Sequence, residues 1–99
     1  MKIQFHNKPL NNLDGTPAQD GHGEIVMMHH VLGTALVSGS EGDVLKFYDW
    51  AIKMHNGQEL SLDKSDAETL RKFIKDCKNL TILAKGQLLE LLDESPRNQ

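Results

Sequence analysis

The sequence has a single cysteine, three prolines, five aromatic residues (one Trp, one Tyr and three Phe) and no long apolar run. One thiol, Cys77, excludes an internal disulfide and a cysteine-based zinc site, and it is typical of proteins of the reducing cytosol. No segment approaches the roughly 20 apolar residues of a membrane-spanning helix, and the N-terminal residues lack the apolar core of a signal peptide. We therefore expect a cytoplasmic protein that does not bind a membrane.

Positive and negative side chains are also nearly balanced in number. The net charge is −3 for 99 residues, so the chain lacks the concentrated positive surface that attracts nucleic-acid backbones. The apolar fraction of 38% and the charged fraction of 25% are those of an ordinary globular protein, and the length suits one domain with one modest core. With so few aromatic residues, that core has to be built mainly from Leu, Ile, Val and Met.

Residues 1–23 differ from the remainder of the chain and predict a small β-element. Polar and apolar side chains alternate over residues 2–6, which is typical of a short half-buried strand. The pair Asp14-Gly15 predicts a tight turn, because glycine accepts a positive φ. We expect a hairpin or an extended arm here, with residues 59–62 pairing with the first strand. No internal repeat is evident.

Residues 24–94 carry helical periodicity and predict a compact bundle of three to four short helices. The expected fold class is therefore mainly α, with α+β at the margin. The pattern places the start of the first helix at Glu24 and that of the second at Ser40. The third helix is expected to start in a capping box, Ser65–Glu68, and the fourth at about Leu80.

The second of these helices has the broadest apolar pattern. It is expected to end at His55-Asn56-Gly57, because Asn and Gly accept the left-handed conformation of a helix C-cap. Residues 95–99 predict a flexible tail. The side chains of the second helix that are predicted to be buried are Val44, Leu45, Phe47, Tyr48, Ala51, Ile52 and Met54.

Histidines are the first candidates for chemistry. His29 and His30 are adjacent, and adjacent side chains on a helix diverge by about 100°, so they do not converge on one ion. His22 in the preceding loop completes the candidate ligand set. A His-based metal-binding protein is therefore one functional interpretation, and it ranks below the two that follow. Solvent-facing or interfacial histidines are favoured over it. No cofactor is predicted, and no catalytic residue is found, since Cys77 fits a core position of the third helix.

A basic stripe is the second candidate. It runs along the third helix and suggests contact with an acidic partner or a nucleic-acid backbone. Acidic residues lie close to it and dilute its field, and the last helix, which would be the recognition helix of a helix-turn-helix, contributes Lys85 as its one base. A nucleic-acid-associated regulator is therefore kept as the alternative to the favoured function. The stripe consists of Arg71, Lys72, Lys75 and Lys78.

The last helix is the most informative segment, because it is apolar on two sides. Its leucine-rich side suits the core, while Ile82 and Leu89 lie seven residues apart on nearly the opposite side. A helix that is apolar on two sides is either enclosed or shares one side with a partner. We therefore interpret Ile82 and Leu89 as interface residues. Trp50 is a candidate anchor of the same contact, and a core position for Trp50 is an equally open alternative.

Six short segments carry a resemblance to known proteins. They are Lys8-Pro9-Leu10, Leu13-Asp14-Gly15, Val31–Leu36, Leu45–Ala51, Leu62–Asp66 and Ala84–Leu89. These segments resemble small proteins encoded by tailed phages and prophages. The resemblance implies a phage-associated accessory protein that binds another protein or itself, in virion or tail assembly or in host modulation, in the bacterial cytosol. It carries over no catalytic residue, and we expect no enzyme.

Overall fold

A computed structural model describes residues 2–6, 8–39 and 42–94 of the chain, the side chain of Glu94 excepted. Within these ranges the fold is mainly α with a small antiparallel β-element, which confirms the predicted class. The predicted helix start at Ser40 and the predicted tail at residues 95–99 lie outside the described residues. In chain order the elements are β1 (Lys2–Ile3), α1 (Met28–Ser38), α2 (Val44–His55), β2 (Leu60–Ser61), α3 (Lys64–Asp76) and α4 (Ile82–Glu94).

The two strands pair the start of the chain with the segment between α2 and α3. Strands β1 and β2 pair antiparallel, with Lys2 opposite Ser61 and Ile3 opposite Leu60. Ile3 and Leu60 are both buried, because successive side chains of a strand point to opposite faces and this pair shares the inner one. The predicted pairing of residues 59–62 with the first strand is confirmed.

The segment between β1 and α1 folds into three short extended pieces that pair with one another in a ring. The N–H of Leu10 donates to the carbonyl of Val26 at 2.9 Å, that of Val26 donates to Ala18 at 2.9 Å, and that of Ala18 donates to Leu10 at 2.8 Å. The three residues recur at eight-residue intervals. A further hydrogen bond, from Met28 N–H to the carbonyl of Lys8 at 2.9 Å, extends the pairing of the first and third pieces to the start of α1.

Two turns of the same geometry connect these extended pieces. In the first turn, Asn12 N–H donates to Thr16 at 2.7 Å and Gly15 N–H donates to Asn12 at 3.0 Å, with Gly15 at φ +89°. The arm therefore contains an eight-residue repeat of backbone geometry, although no internal repeat is evident in the sequence. The equivalent residues of the second turn are Asp20, Gly23 (φ +79°) and Glu24.

Because of this pairing, the first helix starts later than predicted. Glu24 and the three residues after it form the third extended piece, so α1 begins at Met28 and not at Glu24. Hydrogen bonds to residues far along the chain outweigh the local helical pattern here. The last helix also starts later than expected, at Ile82 and not at Leu80.

Aspartate side chains cap the second and third helices. Asp43 precedes α2 and accepts a hydrogen bond from the N–H of Lys46 at 3.2 Å. Asp63 precedes α3 and accepts from the N–H of Asp66 at 2.7 Å, so the predicted capping box at Ser65 is wrong. A carboxylate immediately before the helix satisfies a free N–H of the first turn and complements the positive helix end.

All six elements contribute to one core. Trp50 is 4% exposed and stacks on Phe47 with 5.7 Å between the ring centroids. It therefore belongs to the core, so of the two alternatives left open for Trp50 the structure supports the core position and not the interface anchor. Cys77 is half-buried and packs against the same core. The most completely enclosed side chains are Phe5, Ile3, Leu32, Met54, Leu60, Leu62, Leu70, Ile74, Leu88 and Leu92.

Candidate protein-binding face

Helix α2 is apolar over a wider angle than the core can cover. At about 100° per residue, Phe47, Trp50 and Met54 point inward, and all three are buried. A second apolar sector lies beside them, and its four side chains are 70%, 82%, 58% and 42% exposed, in chain order. We name this sector the α2 apolar face. It consists of Val44, Leu45, Tyr48 and Ile52.

The α2 apolar face corrects the expectation that these four side chains are buried. Helix α1 packs on one flank of α2, where a Cβ placed on Gly33 would lie 3.9 Å from the carbonyl oxygen of Ala51. On the other flank, Phe47 meets Phe73 of α3 with 5.1 Å between ring centroids. These two neighbouring helices cover the inner side of α2, and the α2 apolar face remains exposed to solvent.

The face continues into a groove between α1 and α2. The groove has a volume of about 270 Å³, and Ile52 lines both the groove and the face. Val37 stands on the α1 side of the groove and is 53% exposed. Because Gly33 has no side chain and that of Ala51 is a single methyl group, the two helices approach closely and the groove is shallow. We name it the α1–α2 groove.

Three histidines line one end of this groove, His29, His30 and His55. The ring of His29 also packs against that of His6, with 5.0 Å between their centroids. Within the described part of the chain, Nδ1 of His6 and Nδ1 of His29 are buried without a hydrogen-bond partner. Burial, followed by the neighbouring His6, His30 and His55, lowers the pKa of His29.

The structure does not bring the predicted ligand set together. His22 lies in an exposed loop, where its N–H donates to the carboxylate of Asp20 at 2.8 Å, while the ring beside His29 belongs to His6. Among the described residues, no group of three or more His, Cys, Asp and Glu side chains is placed to hold a metal ion. Sequence reasoning missed His6, because residues distant in sequence meet here.

The predicted apolar stripe on α4 is divided by the fold. Ile82 is 88% exposed, whereas Leu89 is half-buried and packs against the core. Ile82 is thus a single exposed apolar residue, of the kind that is common on protein surfaces. The contiguous exposed apolar surface lies on α2 instead.

The basic stripe of α3 is partly neutralised by its surroundings. Arg71 forms an ion pair with Asp93 of α4, and Lys72 pairs with Asp76 at 3.3 Å, one turn further along the same helix. Lys75 and Lys78 are exposed. Two of the four predicted cations are therefore engaged by carboxylates, which weakens the field available to a phosphate backbone.

Comparisons with protein-family models, with curated proteins and with solved structures found no match for this chain. Among the described residues, no helix combines the length and the apolar character needed to cross a bilayer.

Proposed function

We propose that this protein is a non-enzymatic accessory protein that acts by binding protein through the α2 apolar face. The observation that carries the proposal is the contiguity of Val44, Leu45, Tyr48 and Ile52 on the outer side of one helix. Exposed apolar residues are common singly, but contiguous patches mark contact sites. The resemblance of several segments to phage and prophage proteins supports a role in virion assembly or host modulation.

The spacing of the face suits a helical partner. Val44, Tyr48 and Ile52 recur every four residues, which places them in one row along α2. The α1–α2 groove runs beside the row and offers a depression for the side chains of a second helix. An amphipathic helix that lays its apolar side on such a row and groove is a recurring mode of recognition. Tyr48 supplies a rigid aromatic anchor with a polar tip.

Site-specific photo-crosslinking in the cell that produces the protein tests the proposal. A benzophenone amino acid replaces Tyr48 in one variant and Ile82 in another, so that the face is compared with an apolar position on α4 that is more exposed than Tyr48. We expect discrete adducts from position 48 that disappear when Ile52→Asp is added, and none from position 82. Adducts from position 82 alone, or the same adducts from both positions, would contradict the proposal and favour the α4 surface or nonspecific contact.

A further inference from the structure

We propose that the contact between His6 and His29 is a proton-sensitive latch, which holds residues 2–6 on the helices at neutral pH and releases them in acid. Helices α1 to α4 stay folded when the latch opens, and the release uncovers apolar surface that the neutral protein hides. The inference uses neither the α2 apolar face nor the basic stripe, so it is independent of the proposed function.

The two histidines lie where three parts of the fold meet. His29 is the second residue of α1, and its imidazole packs on that of His6 with 5.0 Å between the centroids. The imidazole of His6 also lies against Gly57, just beyond the end of α2, where an added Cβ would come within 3.4 Å of three of its atoms. The side chain of His6 therefore connects residues 2–6 both to the start of α1 and to the end of α2.

The hydrogen bonding of the pair suits neutral imidazoles. Within the described ranges, Nδ1 of His6 and Nδ1 of His29 are both buried and have no hydrogen-bond partner. A neutral imidazole carries one proton, so it can place that proton on Nε2 and leave Nδ1 bare. An imidazolium has a proton on both nitrogens and would bury a charged N–H without an acceptor, which costs more than burying a bare nitrogen.

The charges around His29 also oppose its protonation. The groups that act on it are His6 from the N-terminal segment, His30 from α1 and His55 from α2, and burial together with these imidazoles lowers its pKa. Lys8, whose carbonyl accepts a hydrogen bond at the start of α1, is exposed and cationic. Each of these neighbours repels a proton on His29 when it is itself charged.

The remaining elements around the pair supply no compensating carboxylate. Both residues of β2 are uncharged, and the first turn of α1 contains no acidic residue. The positive N-terminal end of a helix itself disfavours a cation. Glu59, which precedes β2, is exposed and is not among the groups that act on His29. A proton on His29 is therefore accommodated only when its surroundings change.

Residues 2–6 are the part that can leave at least cost. Strand β1 has two residues and pairs with β2, and the side chain of Gln4 adds one long hydrogen bond to the carbonyl of Gly57, at 3.4 Å. Short segments with few hydrogen bonds open at lower free energy than packed helices. Their departure removes the imidazole of His6 from that of His29 and admits water. It also exposes Ile3 and Phe5, which are 2% and 1% exposed in the closed form.

Fluorine NMR of the full-length chain labelled with 4-fluorophenylalanine tests the latch. The chain has three phenylalanines: Phe5 lies in the segment, while Phe47 and Phe73 pack together between α2 and α3 and report on the helices. We expect a second, solvent-exposed Phe5 signal to grow on the order of tenfold between about pH 7.5 and about pH 5.5, because the proton binds the open form more tightly. The Phe47 and Phe73 signals are expected to stay constant. A change in all three signals together, or in none of them, overturns the inference.

Histidine variants locate the proton sensor. In His29→Gln, which keeps a polar side chain and cannot take up a proton, the population of the exposed Phe5 signal is expected to be independent of pH. His22→Gln, in the exposed loop, is the matched control and is expected to respond to pH as the wild type does. An unchanged pH response in His29→Gln would place the sensor elsewhere and overturn the latch.

Nitrogen-15 NMR of the imidazoles in the wild type keeps the test independent of how well the variants fold. At neutral pH we expect Nδ1 to be the bare nitrogen of His29. As the pH is lowered, protonation of His29 is expected to follow the growth of the exposed Phe5 signal. A His29 that carries its proton on Nδ1 at neutral pH, or that becomes protonated while Phe5 stays buried, would contradict the coupling on which the latch depends.

Discussion

At the scale of single residues, the side-chain amide of Gln87 makes the two backbone hydrogen bonds that a neighbouring strand would otherwise make. Its oxygen accepts a hydrogen bond from the N–H of Asn11 at 2.9 Å, and its nitrogen donates to the carbonyl of Asn11 at 2.7 Å. The two bonds fasten the arm to the middle of α4. They satisfy both backbone groups of a half-buried residue beside the buried Leu10, at a place where no further strand is available to do so.

We expect Gln87→Ala to lower the free energy of unfolding by about 1–3 kcal/mol, because it leaves the N–H and carbonyl of Asn11 without these partners. Urea denaturation measures the change. Gln58→Ala, in an exposed segment, is the control and is expected to change stability by less than about 0.5 kcal/mol. Equal effects of the two substitutions would show that the amide of Gln87 does not hold the arm.

A second residue-scale feature is the imidazole of His29, which the fold favours in its neutral form. Burial is the main cause of its lowered pKa, and the other histidines around it, His6, His30 and His55, add to the effect. The ordinary pKa of 6.5 applies to the unfolded chain. Below that pH the unfolded state takes up a proton at this residue before the folded state does, so acid favours unfolding.

The free energy of unfolding is therefore expected to be fully retained above pH 6.5 and to fall as the pH drops from 6.5 toward the lowered pKa of His29. Denaturant titrations across this range measure the loss. In His29→Gln the loss is expected to be smaller, whereas His22→Gln, in the exposed loop, is expected to behave as the wild type does. A steeper loss in His29→Gln would contradict this origin of the acid sensitivity.

At the scale of elements, the periodicity of the helices was predictable and their beginnings were not. Met28, Leu32 and Ala35 recur at helical spacing, and all three are buried on the inner face of α1. The same pattern also assigned Ile25 to that helix, but the residue lies in an extended piece opposite Gln19. Local periodicity contains no information about a hydrogen bond to a residue many positions away, and such bonds decide where α1 starts.

The eight-residue repeat of the arm was missed for a related reason. Its two turns share a glycine at the equivalent position, Gly15 and Gly23, but few other residues. The Asp14-Gly15 pair was recognised as a turn from its composition, and its carboxylate does accept hydrogen bonds from both the N–H and the hydroxyl of Thr16. The second turn has no such pair in the equivalent place, because His22 precedes its glycine. Apart from the glycine, the two turns have only their backbone geometry in common.

We expect Gly15→Ala and Gly23→Ala to destabilise the fold by similar amounts, about 1–2 kcal/mol each, because both residues have a positive φ that a Cβ disfavours. Neither Cβ would meet another atom within 4 Å, so backbone strain is the cause in both cases. Gly21→Ala is the control, since Gly21 lies in the same arm with neither a positive φ nor a close neighbour, and its effect is expected to be near zero. Thermal unfolding measures all three, and unequal effects at the two turns would contradict their equivalence.

The division of α2 into a buried and an exposed apolar half was also beyond the sequence. An apolar pattern of this width is compatible with a helix in the centre of a bundle and with a helix at its surface. Trp50 and Tyr48 illustrate the ambiguity, because both lie within the pattern, yet one is 4% and the other 58% exposed. The positions of α1 and α3 decide between the two halves, and those positions result from the whole fold.

At the scale of the whole molecule, the protein is a small domain that leaves part of its apolar surface in water. A chain of 99 residues buries a smaller fraction of its surface than a larger one does, so its stability is modest. Within the described residues, the arm, both strands and all of the helices share one core. Sequence reasoning predicted a contact surface at Ile82 and Leu89 of α4, and the structure leaves Ile82 exposed while Leu89 packs against the core.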